Sequence, residues 1–127
     1  MGHPNEEVAR RAWHAFTERD QDKIVQTFAE DMQYHLGGDT ALAGTRKGRD
    51  EFLGLADAVP DLKPSFELHD VVANEEHAVI LFTVHHEREG KGTLDAPGVW
   101  VTHIADGNVA EIWSFPFDQA GAKEFLS

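Results

Sequence analysis

The dipeptide Asp106-Gly107 lies between two runs rich in strand formers, Gly98–Ala105 and Asn108–Phe115. A two-residue Asp-Gly loop is the strongest short-range hairpin signal, and its length sets the strand register. Ala105 then pairs with Asn108 and Ile104 with Val109. Further out, His103 faces Ala110, Thr102 faces Glu111, Val101 faces Ile112 and Trp100 faces Trp113. Alternation sorts these residues onto two faces. One carries Trp100, Thr102, Ile104, Val109, Glu111, Trp113 and, at its end, Phe115. The other carries Val99, Val101, His103, Ala110, Ile112 and Ser114. The first set places aromatics around one carboxylate and suits the wall of an apolar pocket, so we take it as the concave face. The second is smaller and smoother, and suits either core or a sheet surface buried in a dimer. A bulge in the hairpin would exchange the two faces.

The rest of the chain reads as helices first and strands later. A helix is expected over Asn5–Arg19, with Asn5 as its N-cap, Glu6 and Glu7 at its positive end, and Val8, Ala12, Trp13, Ala15 and Phe16 on an apolar stripe. A second, short helix covers Asp20–Ala29 with Ile24, Val25 and Phe28 inward. Met32–Leu36 is a strand. Arg49–Val59 is a third helix burying Phe52, Leu53, Ala56 and Val59, and Pro60 ends it. Strands follow at Pro64–Ala73 and His77–Arg88, then the Asp-Gly hairpin, then a helix over Gln119–Phe125 capped by Asp118. This order predicts an α+β fold, with helices packed on one face of a curved mixed sheet and a pocket between them.

Composition narrows the partners. The 127 residues suffice for one domain, 1–127, with a real core. With 23 acidic against 11 basic residues the formal charge is −12, which makes nucleic acid and anionic membranes poor partners. The absence of cysteine excludes disulfides, thiol nucleophiles and thiolate metal sites. The N-terminal MGHPNEEVARR has neither an apolar core nor a cleavage site, and no apolar run approaches the ~20 residues of a membrane span. A cytoplasmic location is the expectation.

The stretch Tyr34–Phe52, YHLGGDTALAGTRKGRDEF, carries a resemblance. An aromatic-His pair runs into Gly37-Gly38, then Leu42-Ala43-Gly44, then Gly48-Arg49-Asp50-Glu51 at the start of a helix. This pattern resembles the SnoaL-like branch of the nuclear transport factor 2 (NTF2)-like superfamily, whose cone-shaped fold is shared with ketosteroid isomerase. The tail EIWSFPFDQAGAKEFLS is similar to the usual end of these proteins. The resemblance implies three N-terminal helices on a curved sheet around an apolar pocket. It also implies cofactor-free acid–base chemistry of the isomerase or cyclase (lyase) kind. The three catalytic groups of ketosteroid isomerases are not matched. The helix-one tyrosine falls at Ala12 or Trp13, the base at His35 or Leu36, and the late-strand acid at Trp100.

Two side chains remain as candidate acid–base groups. His35 falls where the family places a proton-transfer residue, and an imidazole is suited to proton transfer near neutral pH. Glu111, flanked by tryptophans on the supposed concave face, would have its pKa raised by an apolar site. Trp13, Phe16, Tyr34, Phe52, Trp100, Trp113 and Phe115 are the candidate substrate contacts. His85 and His86 adjoin on one strand and point to opposite faces, so they do not share a metal, and no metal or cofactor is expected. The leading expectation is an enzyme that cyclises, isomerises or hydrolytically opens a small hydrophobic metabolite. The alternative is a non-catalytic binding module of the same fold. A homodimer through the open sheet face, with Val99, Val101 and Ile112 in the contact, is expected as well.

Overall fold

The computed structural model describes residues 3–40, 42–58 and 61–126. Helices α1 (Pro4–Glu18) and α2 (Gln21–Thr27) lead into strand β1 (Phe28–Leu36) and a short edge strand β2 (Gly44–Lys47). Two short helices follow, α3 (Arg49–Leu53) and α4 (Leu55–Ala58). Four long strands come next: β3 (Leu62–Ala73), β4 (His77–Arg88), β5 (Gly92–Ala105) and β6 (Asn108–Pro116). Helix α5 (Gln119–Leu126) closes the chain. The strands form one sheet in the order β2-β1-β6-β5-β4-β3. Among the described residues only the β1–β6 pair is parallel. No helix among the described residues is long and apolar enough to cross a membrane.

Helix α1 buries Val8, Ala9, Ala12, Trp13 and Ala15 along one stripe. Its cap is His3, not Asn5: the His3 imidazole accepts from the Asn5 amide at 3.1 Å, and Pro4 begins the helix, where a missing N–H costs nothing. The Asn5 side chain instead donates to the carbonyls of Asn74 and Glu75, at 3.0 and 2.9 Å. That pins the start of α1 to the β3–β4 turn. Asp20 caps α2 through the Lys23 amide. Phe28, assigned above to the second helix, takes extended geometry and opens β1 with its ring fully buried. The third helix breaks into α3 and α4 at Gly54. Val59, Pro60 and the Ala56 side chain lie outside the described residues.

Strand β2, not anticipated from its Gly- and Lys-containing sequence, pairs antiparallel with β1. Strand β5 starts six residues earlier than expected, at Gly92, despite Pro97. Residues 92–97 pair with β4, whereas the Pro97 carbonyl points the other way and accepts from the Phe117 amide at 3.1 Å. The missing N–H therefore costs the β4 ladder nothing.

The Asp-Gly turn forms with both residues at positive φ, 53° and 78°, the signature of a type I′ turn. Ala105 pairs with Asn108 and Ile104 with Val109, as the turn dictates. The register then shifts by one residue. His103 faces Glu111, Thr102 faces Ile112, Val101 faces Trp113 and Trp100 faces Ser114. The extra residue is Ala110. This bulge lets Val109 and Ile112, three apart, both turn inward, at 1% and 0% exposure. From Glu111 onward the two faces of β6 are therefore exchanged relative to the sequence-based expectation. Ile112 and Ser114 face the helices, whereas Glu111, Trp113 and Phe115 face away.

The core lies between the helices and the inner sheet face, around Trp13, Phe28, Met32, Ile80, Val109 and Ile112. Thr102 is fully buried there and donates its hydroxyl proton to the Ala78 carbonyl at 2.8 Å. Pairing it this way avoids the cost of an unsatisfied buried hydroxyl.

Candidate functional site

On the inner face the sheet and helices do not close completely. A cavity of about 280 Å³ remains between α1, α3, α5 and strands β1 and β3–β6. Its walls are largely aromatic. Trp13 meets Trp100 edge-on at 5.2 Å between ring centroids. Phe16 stacks on Phe52 at 5.2 Å, and Tyr34 packs against Phe52 at 4.8 Å. Phe66 and Phe82 complete this wall. The alternation of the strands accounts for the placement: Tyr34 and Leu36 on β1, Phe82, Val84 and His86 on β4, and Trp100 on β5 all point the same way.

The motif that carried the resemblance shapes one rim. Gly48 adopts φ 91°, open to glycine, and its amide donates to the Met32 carbonyl at 2.7 Å. This seats α3 so that Phe52 enters the cavity wall. Arg46 donates to the carbonyls of Leu42 and Ala43, holding the loop that brings Thr40 and Leu42 to the rim. At the other end, α5 contributes Ala122, Phe125 and Leu126. It is capped by Asp118, which accepts from the Gly121 amide at 2.8 Å, and held down by Arg88, which donates to the Phe125 carbonyl at 2.8 Å.

The polar side chains among the lining residues are Arg19, Gln21, Tyr34, Thr40, His86 and Ser114. Tyr34 and Ser114 lie side by side in its wall, each 7% exposed. Burial pushes the Tyr34 hydroxyl pKa up, and a hydrogen bond from Ser114 and the Arg46 charge pull it back in part. His86 lines the α5 end, near the Phe125 ring at 6.1 Å. Burial drives its pKa down, and the neighbouring His85 charge adds to this. The Nδ1 atom of His86 is buried and has no hydrogen-bond partner among the described residues.

Of the expected contacts, Trp13, Phe16, Tyr34, Phe52 and Trp100 line the cavity. Trp113 and Phe115 do not; the bulge at Ala110 turns both onto the outer face, and Phe115 is 50% exposed. His35 and Glu111 do meet, with Nε2 and Oε2 2.5 Å apart, but they meet outside. His35 alternates with the buried Tyr34, and Glu111 with the buried Ile112, so both side chains lie on the face away from the cavity. Thr45 Oγ1 holds the other ring nitrogen of His35 at 2.9 Å, and Trp113 stacks on its ring at 6.0 Å. The expectation that this pair shares a cavity with Trp100 is corrected by the register shift. Sequence reasoning assigned no cavity role to His86 or Ser114. The alternation Ile80, Phe82, Val84, His86 was a usable signal for the first. The second depended on the bulge.

The SnoaL-like domain profile matches residues 9–112. Rv0034, an uncharacterized protein of Mycobacterium tuberculosis, is 30% identical over 123 residues, which is 94% of this chain and 93% of that protein. Among solved structures, Bal32a, from a soil-derived mobile gene cassette, superposes with a TM-score of 0.85 at 24% identity, covering 98% of this chain and 97% of its own. TerC, co-crystallized with polyporic acid, superposes with a TM-score of 0.83 at 19% identity and 98% coverage of both chains. Other neighbours are described as NTF2-like or ketosteroid isomerase-like. At these identities the structural likenesses establish the fold alone, whereas the profile covers most of the sequence. The chain belongs to the SnoaL-like domain family, built on the NTF2-like fold.

Proposed function

We propose that this protein binds a small, predominantly apolar molecule in the cavity between its helices and the inner sheet face, and holds it without transforming it. The observation that carries this reading is the cavity itself, walled by Trp13, Phe16, Phe52, Phe66, Phe82 and Trp100 with sparse polar groups. Its size is at the small end of the usual ligand-pocket range of ~300–1,000 Å³, which suits a molecule of one or two rings. Catalysis by general acid and base needs two titratable groups within reach of one reacting region. Here Tyr34 and His86 stand on β1 and β4, three strands apart in the sheet order, or roughly 14 Å at ordinary strand spacing. His35 and Glu111 are on the wrong face.

The test uses 1-naphthylamine, a two-ring probe, uncharged at neutral pH, whose fluorescence shifts in apolar surroundings. One probe should bind per chain with micromolar affinity. Leu94→Trp, which fills the cavity from β5, should weaken binding at least tenfold and keep the wild-type circular dichroism. Absence of saturable binding, or binding indifferent to the filled cavity, would reject the reading.

A second reading, acid–base turnover in the same cavity, rests on His86, a neutral imidazole in an apolar wall. Conversion of a bound metabolite that is lost in His86→Phe would favour it. We also propose that a second copy of the chain covers the outer sheet face, where Val79, Leu81, Val99, Val101, Trp113 and Phe115 are half-buried or exposed.

A further inference from the structure

The cavity is mostly apolar, so a polar side chain in its wall without a hydrogen-bond partner stands out. His86 lines the cavity, and its Nδ1, shut off beneath the wall, has no partner among the described residues, which leaves Nε2 as the nitrogen a ligand can reach. Across the sheet His86 pairs with Leu94 on β5 and Pro64 on β3, and Phe125 of α5 lies over it. None of these side chains can accept or donate a hydrogen bond. A polar ring held among such neighbours without hydrogen bonds costs free energy, which a hydrogen bond from a ligand would offset. The two neighbouring histidines make the contrast plain. His85, on the outer face, holds Asp95 at 2.7 Å and Glu67 at 3.0 Å.

We propose that His86 is the polar anchor of the cavity and takes the hydroxyl of a phenol-type ligand whose rings lie against the aromatic wall. This rests on the binding reading given above and names the ligand class. A hydroxyl fits because it both donates and accepts, and so matches either tautomer of a neutral imidazole. A carboxylate or phosphate suits it less, because burial lowers the His86 pKa and so disfavours the charged imidazole that would pair with an anion. The aromatic walls select a flat ring system over an aliphatic alcohol.

Two probes differing by one hydroxyl, 2-naphthol and naphthalene, test the assignment. Their binding is read from quenching of Trp13 and Trp100 in Trp113→Phe, which removes the outer-face tryptophan. In that background His86→Phe should weaken 2-naphthol at least tenfold and leave naphthalene within twofold. His86→Gln, which retains a donor and an acceptor, should recover a substantial part of the 2-naphthol affinity and guards against a folding defect in the phenylalanine variant. Equal weakening of both probes by His86→Phe would mean that the histidine only shapes the wall, and the anchor would be refuted. So would an unchanged 2-naphthol affinity. Should neither probe bind before His86 is altered, the cavity reading itself fails and the anchor with it. If naphthalene binds and the hydroxyl adds nothing, only the anchor fails.

Discussion

The two faces of the sheet solve the same problem, where to put polar side chains on a strand, in opposite ways. On the outer face two histidines are paired with carboxylates. His35 bridges Thr45 and Glu111, and His85 sits between Asp95 and Glu67. On the inner face His86 stands among apolar side chains, and Tyr34 has the Ser114 hydroxyl and the Arg46 charge near it. Hydrogen bonds donated to Asp95 and then Glu67 raise the pKa of His85, whereas loss of water lowers that of His86. Adjacent residues on one strand thus diverge because alternation assigns them different solvents. A constellation that looks catalytic, a histidine 2.5 Å from a carboxylate, lies here partly buried on the outer face of the sheet. The ligand-sized space lies on the other side of the sheet.

The largest effect that can break this contrast is on stability. Trp100→Ala empties a buried site and should cost about 3–5 kcal/mol in urea denaturation. Trp113→Ala, at the same size on the outer face, should cost about 1 kcal/mol or less at dilution low enough for monomer to prevail. Equal costs would mean that the outer face is part of the fold's core.

Next in size comes self-association. If a second copy covers the outer face, sedimentation equilibrium should give twice the 14.1 kDa chain mass. Val101→Glu, which places a charge in the middle of the contact, should raise the dissociation constant by at least ~10²-fold, since a buried unpaired charge is costly. A wild-type monomer at high concentration would remove the dimer.

A smaller effect distinguishes the histidine–carboxylate pair from the cavity. Glu111→Gln removes the outer charge and should leave naphthylamine binding within twofold. A large loss would return His35 and Glu111 to the site.

The finest measurement is an NMR titration of the two neighbouring histidines. His86 should titrate below the ordinary value of 6.5 and His85 above it. The signs for stability follow by linkage. His86 contributes stability that is present above pH 6.5 and lost as pH falls through its lowered folded value. His85 contributes stability that is present below pH 6.5 and lost as pH rises through its raised one. Because His85 is 41% exposed, solvent screening keeps its part small. Coincident titrations would show that the two faces do not differ as described.

Much of this molecule follows from local rules. The helical stripe of α1, the cap at Asp118, the turn at Asp106-Gly107 and the motif around Gly48 all depend on neighbours within a few residues, so the chain itself states them. From those and the family likeness came the α+β architecture and the aromatic residues Trp13, Phe16, Tyr34, Phe52 and Trp100. What the sequence alone left open was which face of β6 is inside. The turn dictates only the first two pairs, Ala105–Asn108 and Ile104–Val109. Beyond them, burying Val109 and Ile112 together outweighed an unbroken ladder, and the sheet took up one extra residue at Ala110. That balance is struck against side chains far away in sequence, on α1 and β1, and so only the assembled tertiary structure decides it. Because strand side chains alternate with a period of two, this single residue moved Glu111, Trp113 and Phe115 out of the cavity and brought Ser114 in.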